Sequence, residues 1–200
     1  MSRGRLVAFE GGEASGKSTQ AARLANRLGA VLTREPGGTA VGEHIRELLL
    51  DPAVMDLDPR AEALLMAGAR AQHVAGVVRP ALSNGRDVVT DRYAYSSIAY
   101  QGYGRGLGLD EVRGLSDWAT GGLWADVVVL LDVPDEVAAA RLGERDRFEA
   151  EGGGFHERVA AGYRELAEAE PERWAVVDGV GAPDEVERRV WDAVSARLSP

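Results

Sequence analysis

The sequence contains no cysteine, which excludes a disulfide framework, a thiolate metal site and a cysteine nucleophile at once. Its three histidines, His44, His73 and His156, are too scattered for a metal-ligand spacing. No uninterrupted apolar run reaches membrane-spanning length, so no membrane partner is expected. Positive charge is in deficit: 23 Lys and Arg against 32 Asp and Glu leave a net charge of −9. Polyanion binders concentrate basic residues, so nucleic acid is not an expected partner either. Arginines that serve an anionic ligand must therefore be gathered locally. Met1 to Arg5 run at once into an apolar stretch and leave no room for a signal peptide, so a cytoplasmic protein is expected. Two hundred residues, 45% apolar and 28% charged, suit one α/β domain that buries its core unaided.

What is present is concentrated in residues 10 to 20, Glu10-Gly11-Gly12-Glu13-Ala14-Ser15-Gly16-Lys17-Ser18-Thr19-Gln20. Leu6-Val7-Ala8-Phe9 before it has the length of a buried strand, and Leu24 and Leu28 after it lie one helical turn apart. Gly11, Gly16, Lys17 and Ser18 satisfy G-x-x-x-x-G-K-[ST]. A phosphate chain needs several backbone N–H groups aimed at one point, and glycine lets the backbone wrap that tightly. A helix opening at Lys17 adds its N-terminal dipole, Lys17 can reach the β- and γ-phosphates, and the Ser18 hydroxyl can hold Mg²⁺. Strand before and helix after make this a nucleotide-phosphate site.

Along the rest of the chain, strands are expected at 29–33, 87–91, 126–132 and 174–178, and helices at 42–50, 60–83 (broken by Pro80), 109–119, from Pro134 towards Arg141, 155–169 and 183–198. On the long helix Leu64, Leu65, Gly68, Gln72 and Val77 track one side, and on 42–50 Ile45, Leu48 and Leu49 share a face. The alternation implies a five-stranded parallel sheet with helices on both faces. No repeat or linker divides the chain. A polar and aromatic stretch, Tyr95 to Gly106, follows the third strand, and Arg141, Arg145 and Arg147 crowd a segment ending in Gly152-Gly153-Gly154, the makings of a mobile lid over roughly 141–154.

A phosphate loop alone does not separate kinases, GTPases and ATPases. The chain has no Asn-Lys pair for a guanine-reading motif, and a mechanochemical ATPase needs more length. A small kinase fits, because two phosphate-bearing substrates need extra cations at the transfer point. Arg92 sits just past a strand's C-terminal end, where ligands gather in doubly wound sheets. A kinase for another small acceptor and a non-catalytic nucleotide-binding module remain alternatives at this point.

Phe9-Glu10-Gly11, Arg34-Glu35-Pro36-Gly37-Gly38-Thr39, Asp91-Arg92-Tyr93 and Ser96-Ser97-Ile98-Ala99-Tyr100-Gln101-Gly102 together resemble bacterial thymidylate kinase, from residue 5 to about residue 195 in order and spacing. The resemblance implies a P-loop NTPase fold, transfer of the γ-phosphate of Mg-ATP to dTMP to give dTDP and ADP, and a homodimer. It implies an ATP site at Gly11, Gly12, Glu13, Ala14, Ser15, Gly16, Lys17, Ser18 and Thr19, joined by Arg141. For dTMP it implies Glu13 at the 3′-hydroxyl, Arg92 on the phosphate, Arg70 donating to thymine O4 and Ser97 and Gln101 along the base edge. Tyr100 would crowd the 2′ position, Arg46 is a further phosphate candidate, and Asp91 joins Ser18 at the metal. Lys17, Arg92, Glu13 and Arg147 are the expected catalytic set.

Two positions depart from common patterns of the family. Met66 stands where a stacking phenylalanine is frequent, and its polarizable sulfur can still pack on a ring. Ala14 stands where some members carry a phosphate-loop arginine. Members without it resemble this chain in supplying lid arginines, which points to Arg147 with Arg145 and Arg141 in support, since one positive charge near the transferring phosphoryl can arrive from either side.

Overall fold

Five short apolar runs become β1 (Leu6–Glu10), β2 (Val31–Arg34), β3 (Val88–Asp91), β4 (Val127–Asp132) and β5 (Trp174–Asp178), all parallel, in the order β2-β3-β1-β4-β5. The computed structural model describes residues 3–54, 56–141 and 146–198. Central β1 and β4 are buried almost throughout, as continuous apolar runs demand, whereas edge strand β2 alternates half-buried and exposed residues. Side chains leave each strand on alternate faces. Leu6, Ala8, Val88, Val128 and Leu130 feed one core layer, and Val7, Phe9, Val89, Val129 and Leu131 feed the other.

The second layer is closed by α1 (Lys17–Leu28) and α9 (Pro183–Leu198), through Leu24, Val186, Val190 and Val194. The first is closed by the helices between: α2 (Ala40–Leu50), α3 (Pro59–His73), α4 (Arg79–Ser83), α5 (Ala94–Ser97), α6 (Leu109–Thr120) and α8 (Gly153–Ala169); short α7 (Asp135–Ala139) follows β4. Register sets Phe9 opposite Asp91, and the Arg92 N–H donates to the Phe9 carbonyl at 2.9 Å. The loop after β1 and the residues after β3 therefore leave the sheet side by side.

Several boundaries differ from the sequence expectations for identifiable reasons. Gly29, expected to open a strand, instead closes α1 with a left-handed φ of 63°, and β2 starts at Val31. The helical stretch 60–83 is not one α-helix: wider π turns occupy Val74–Val78, and Pro80, which lacks an N–H, falls in the first turn of α4. The polar and aromatic stretch after β3, to which the sequence assigned no element, is helical as far as Gly104, as α5 continued by π turns over Ile98–Gly104. The expected glycine hinge is shorter, since Gly153 and Gly154 already belong to the first turn of α8. On α3 the side tracked by Leu64, Gly68 and Gln72 faces outward, with Leu64 60% exposed. Its inner side carries Glu62, Arg70 and His73, buried because each has polar partners there. On α2, likewise, Leu49 is buried but Leu48 is exposed.

Candidate active site

The loop between β1 and α1 is shaped by two glycines. Gly11 has φ 141° and a Cβ there would lie 2.7 Å from the Leu131 carbonyl oxygen; Gly16 has φ 93° at the N-cap of α1. No side chain caps α1 and no acid occupies its first turn, so its leading N–H groups remain for an anion. Lys17 folds back over the loop, donating to the Gly12 carbonyl at 2.5 Å and to Ser15 Oγ at 3.2 Å. Burial and the nearby Arg92 charge lower its pKa to about 8 against the pull of Glu13, Asp91 and Glu10.

An open cleft of about 800 Å³ lies over this loop, lined by Ala14, Gly16, Thr19, Arg34, Asp91 and Arg141 among others. Arg141 approaches the carbonyls of Ala14 at 3.5 Å and Gly179 at 3.3 Å. Ser18 Oγ donates to Asp91 Oδ2 at 2.5 Å, while Asp91 Oδ1 is buried without a hydrogen-bond partner among the described residues. A hydroxyl and a carboxylate with an oxygen to spare, beside a phosphate loop, fit a hard cation such as Mg²⁺, which takes few protein ligands and completes its shell with water and phosphate oxygens. Among the described residues no cluster of three acids or histidines offers an all-protein metal cage.

Arg92 occupies the left-handed region at φ 67°, uncommon for a side-chain-bearing residue and held here by its surroundings. Its guanidinium donates to Glu13 Oε1 (2.7 Å), the Gly11 carbonyl (3.0 Å) and the hydroxyls of Tyr100 (2.9 Å), Tyr163 (3.2 Å) and Ser96 (3.3 Å). Tyr100 donates to the same Glu13 oxygen at 2.5 Å. Burial works against the Glu13 charge, but Arg92 and Lys17 outweigh it and hold the carboxyl at about 2. Behind Arg92 the Glu10 carboxylate accepts from the Tyr93 and Ser96 N–H groups, Ser96 Oγ (2.5 Å) and Tyr163 (3.0 Å). Burial raises Glu10 to about 7 despite those donors.

Beyond Arg92 lies a smaller cavity of about 80 Å³, lined by Arg70, Ser97, Tyr100, Gln101, Met66 and Arg46, with Leu50, Tyr93 and Phe148. Arg70 is buried and donates to Glu35 Oε2 (2.7 Å), Ser97 Oγ (3.0 Å) and the Tyr93 carbonyl (3.1 Å). Glu35 also meets His73 Nδ1 at 2.8 Å, and Thr33 closes the chain at His73 Nε2 (2.7 Å). Arg46 donates to the Pro36 carbonyl at 3.0 Å and faces both the cleft and the cavity, as do Glu13, Glu35 and Arg92. One ligand in each space would meet at Arg92.

The structure thus brings the sequence-named residues to the walls of the two spaces, except Gly11 and Gly12, which shape the loop without lining the cleft, and it sets Arg147 apart. Its Nε donates to the Leu49 carbonyl at 2.8 Å, its Nη2 lies 2.7 Å from Glu62 Oε2, and its guanidinium stacks on Phe148. It lines neither space. Arg145 lies outside the described residues. Sequence reasoning missed Glu62, Phe148, Arg105 and Tyr163. Glu62 had a signal, because positions 62, 66, 70 and 73 recur at helical spacing and share the inner face of α3. Tyr163 had none, being 71 residues from the arginine it holds.

The family model described as thymidylate kinase matches residues 9–190. Curated proteins named thymidylate kinase include one from Synechococcus sp. strain JA-2-3B'a(2-13), 49% identical over 96% of this chain and 95% of its own length. Another, from Deinococcus radiodurans, is 48% identical over 98% and 99%. The crystal structure of thymidylate kinase from Ehrlichia chaffeensis superposes with a TM-score of 0.79 at 30% identity, covering 96% of this chain and 99% of that one.

Proposed function

This chain belongs to the thymidylate kinase family, and from that premise we propose how its residues divide the transfer of the γ-phosphate of ATP to dTMP. The observation that carries the assignment is Arg92, fixed by five partners at the point where the open cleft meets the small cavity. The cleft takes ATP: the leading N–H groups of α1 and Lys17 receive its phosphates, and Arg141 flanks its far end. Ser18 and the free oxygen of Asp91 would hold Mg²⁺, which neutralises phosphate charge during transfer.

The cavity takes dTMP. Arg92 turns part of its fork to the acceptor phosphate, aided by Arg46, and so holds the attacking oxygen towards the cleft. Glu13 has Oε2 left to accept the sugar 3′-hydroxyl, since its bonds to Arg92 and Tyr100 both end on Oε1. The Tyr100 ring crowds the 2′ position, Arg70 and Ser97 face the base edge with Gln101, and Met66 packs on the ring. ADP release measured over a panel of acceptors tests the reading: dTMP is turned over far better than dCMP, dGMP or deoxynucleosides. Preference for any of those assigns the cavity to another acceptor.

We assign the missing transition-state charge to Arg147, carried by a lid over 141–154 of one catalytic domain. Opening its contacts with Glu62 and Leu49 would free it to approach the cleft, and Glu62 would keep Arg105 and Gln101 as partners. Arg147→Ala is expected to lower kcat by roughly 10³, with little change in the KM for dTMP, as loss of an arginine finger does. A near-normal kcat with a lowered Tm makes Arg147 a structural partner of Glu62 and leaves the charge to Arg141.

A homodimer accounts for apolar side chains left outside. Val41 and Leu48 on α2, Leu64 on α3 and Leu109 and Trp118 on α6 are all exposed, Trp118 by 80%, and α3 packs between α2 and α6. Sedimentation equilibrium giving a monomer at micromolar concentration would refute it. ATP as donor and the lack of cysteine both suit a cytoplasmic setting.

A further inference from the structure

The acceptor cavity ends on the Gln101 amide, whose two ends are nearly the same shape and opposite in hydrogen bonding. Its Nε2 donates to Glu62 Oε1 at 2.9 Å, both side chains being buried. Its Oε1 is buried with no hydrogen-bond partner among the described residues. Native interiors seldom leave such an oxygen unmatched unless something outside the protein supplies the donor. Glu62 does not line the cavity and reaches the amide from behind. Both of its oxygens already face donors: it accepts from Arg105 Nε (3.2 Å) and Nη2 (3.1 Å) and pairs with Arg147 Nη2 at 2.7 Å. A carboxylate between two guanidinium groups only accepts. It therefore takes the nitrogen end of the amide and leaves the oxygen end for the cavity.

We infer that Glu62 is a positioning residue for base specificity: by locking the Gln101 amide it makes the cavity present an acceptor, which selects a pyrimidine carrying N–H at ring position 3. Arg70 lines the same cavity and brings to it a guanidinium, a group with donors only. Acceptor beside donor matches the N3–H and C4=O edge of thymine or uracil. It opposes cytosine, whose N3 accepts and whose 4-amino group donates, so mismatched polar groups would be buried face to face. The inference rests on the reading of this cavity as the dTMP site, and it adds a buried residue that no ligand touches.

The test compares kcat/KM for dTMP with that for 5-methyl-dCMP, which keeps the outline of dTMP but has a bare, accepting N3 and a 4-amino group. The wild-type enzyme should favour dTMP by about 30-fold, the effect of one buried polar group left unpaired. In Glu62→Gln the arginines draw the new amide's oxygen, its N–H₂ faces Gln101, and the Gln101 amide turns over; the preference should fall about tenfold or more. Arg105→Lys disturbs the packing around Glu62 but keeps a cation beside the carboxylate, and should hold the preference within about threefold of wild type. An undiminished preference in Glu62→Gln overturns the inference, and so does an equal loss in Arg105→Lys, which would make the effect one of packing. Absence of dTMP turnover in the wild type is a different result and fails the acceptor assignment instead. Should Glu62→Gln not fold, NMR of the wild-type complex decides: a through-hydrogen-bond coupling should link thymine N3 to the Gln101 side-chain carbonyl carbon, as an oxygen turned to the base requires. Absence of that coupling in a complex whose thymine H3 is protected overturns the inference.

Discussion

Lys17→Ala is expected to reduce kcat by roughly 10³ while leaving the fold intact. The side chain contributes little to folding, since among the described residues its ammonium donates only to the Gly12 carbonyl and Ser15 Oγ and is desolvated enough to bring its pKa to about 8. Its charge becomes useful when a phosphate chain fills the cleft and the hydrogen bonds to the loop are exchanged for phosphate oxygens. The depressed pKa also has a pH signature. Between about 8 and the ordinary 10.5 the unfolded chain holds the Lys17 proton and the folded chain does not, so this group adds stability as pH rises through that window. Lys17→Ala should lack that rise. In the free enzyme the charged form is lost above about 8, so kcat/KM for ATP should decline there in the wild type. Circular dichroism melts and steady-state rates across pH 6–10 check both; a folded variant with near-normal rate removes the phosphate-loop assignment.

Arg92→Ala should lower kcat/KM for dTMP by about 10³ and change ATP affinity by no more than about threefold, because loss of a charge-assisted fork costs a few kcal/mol at the acceptor phosphate alone. Stability suffers as well. Removing one member of a buried pair strands the other, at a cost of about 3 kcal/mol or more, and Glu13 would keep only Lys17 and Tyr100. The sign with pH follows from the low Glu13 pKa. In the wild type its contribution is fully present above about 4.5 and is lost as pH falls towards about 2. The stability gap between wild type and variant should therefore narrow on acidification below pH 4.5. Urea melts at pH 3 and pH 7, with calorimetric titration of each nucleotide, measure these effects. Equal weakening of ATP and dTMP would remove the acceptor-specific role of Arg92. Arg92→Lys should restore charge without the fork and recover only part of the binding.

The phosphate loop and its flanking elements were legible in the sequence because they are local. Gly11 and Gly16 answer a demand of the backbone at their own positions, and α1 follows within one residue. The parallel sheet was legible too, because a strand buried on both faces must be apolar throughout, as Val127 to Leu131 is. Arg92, Asp91, Arg70 and Gln101 could be singled out by the motifs that carry them. Their bonding could not, since Arg92 is held by Glu13 and Tyr163, 79 and 71 residues away.

Sequence by itself determined the class of site, the strand order's raw material and the family, since glycine placement, apolar runs and short motifs act within a few residues. Tertiary structure decided which face of α3 is inside. Apolarity argued for the side of Leu64, yet Glu62, Arg70 and His73 are buried instead. Each is satisfied by partners on other elements, Gln101 and Arg105 for Glu62, Ser97 and Glu35 for Arg70, and Thr33 and Glu35 for His73. A buried charge is tolerated only where its partners converge, and convergence is a property of the folded chain. The same reason set Arg147 against Glu62 rather than over the cleft: a carboxylate already inside attracts the nearest guanidinium, and no spacing along residues 141 to 154 encodes that neighbour.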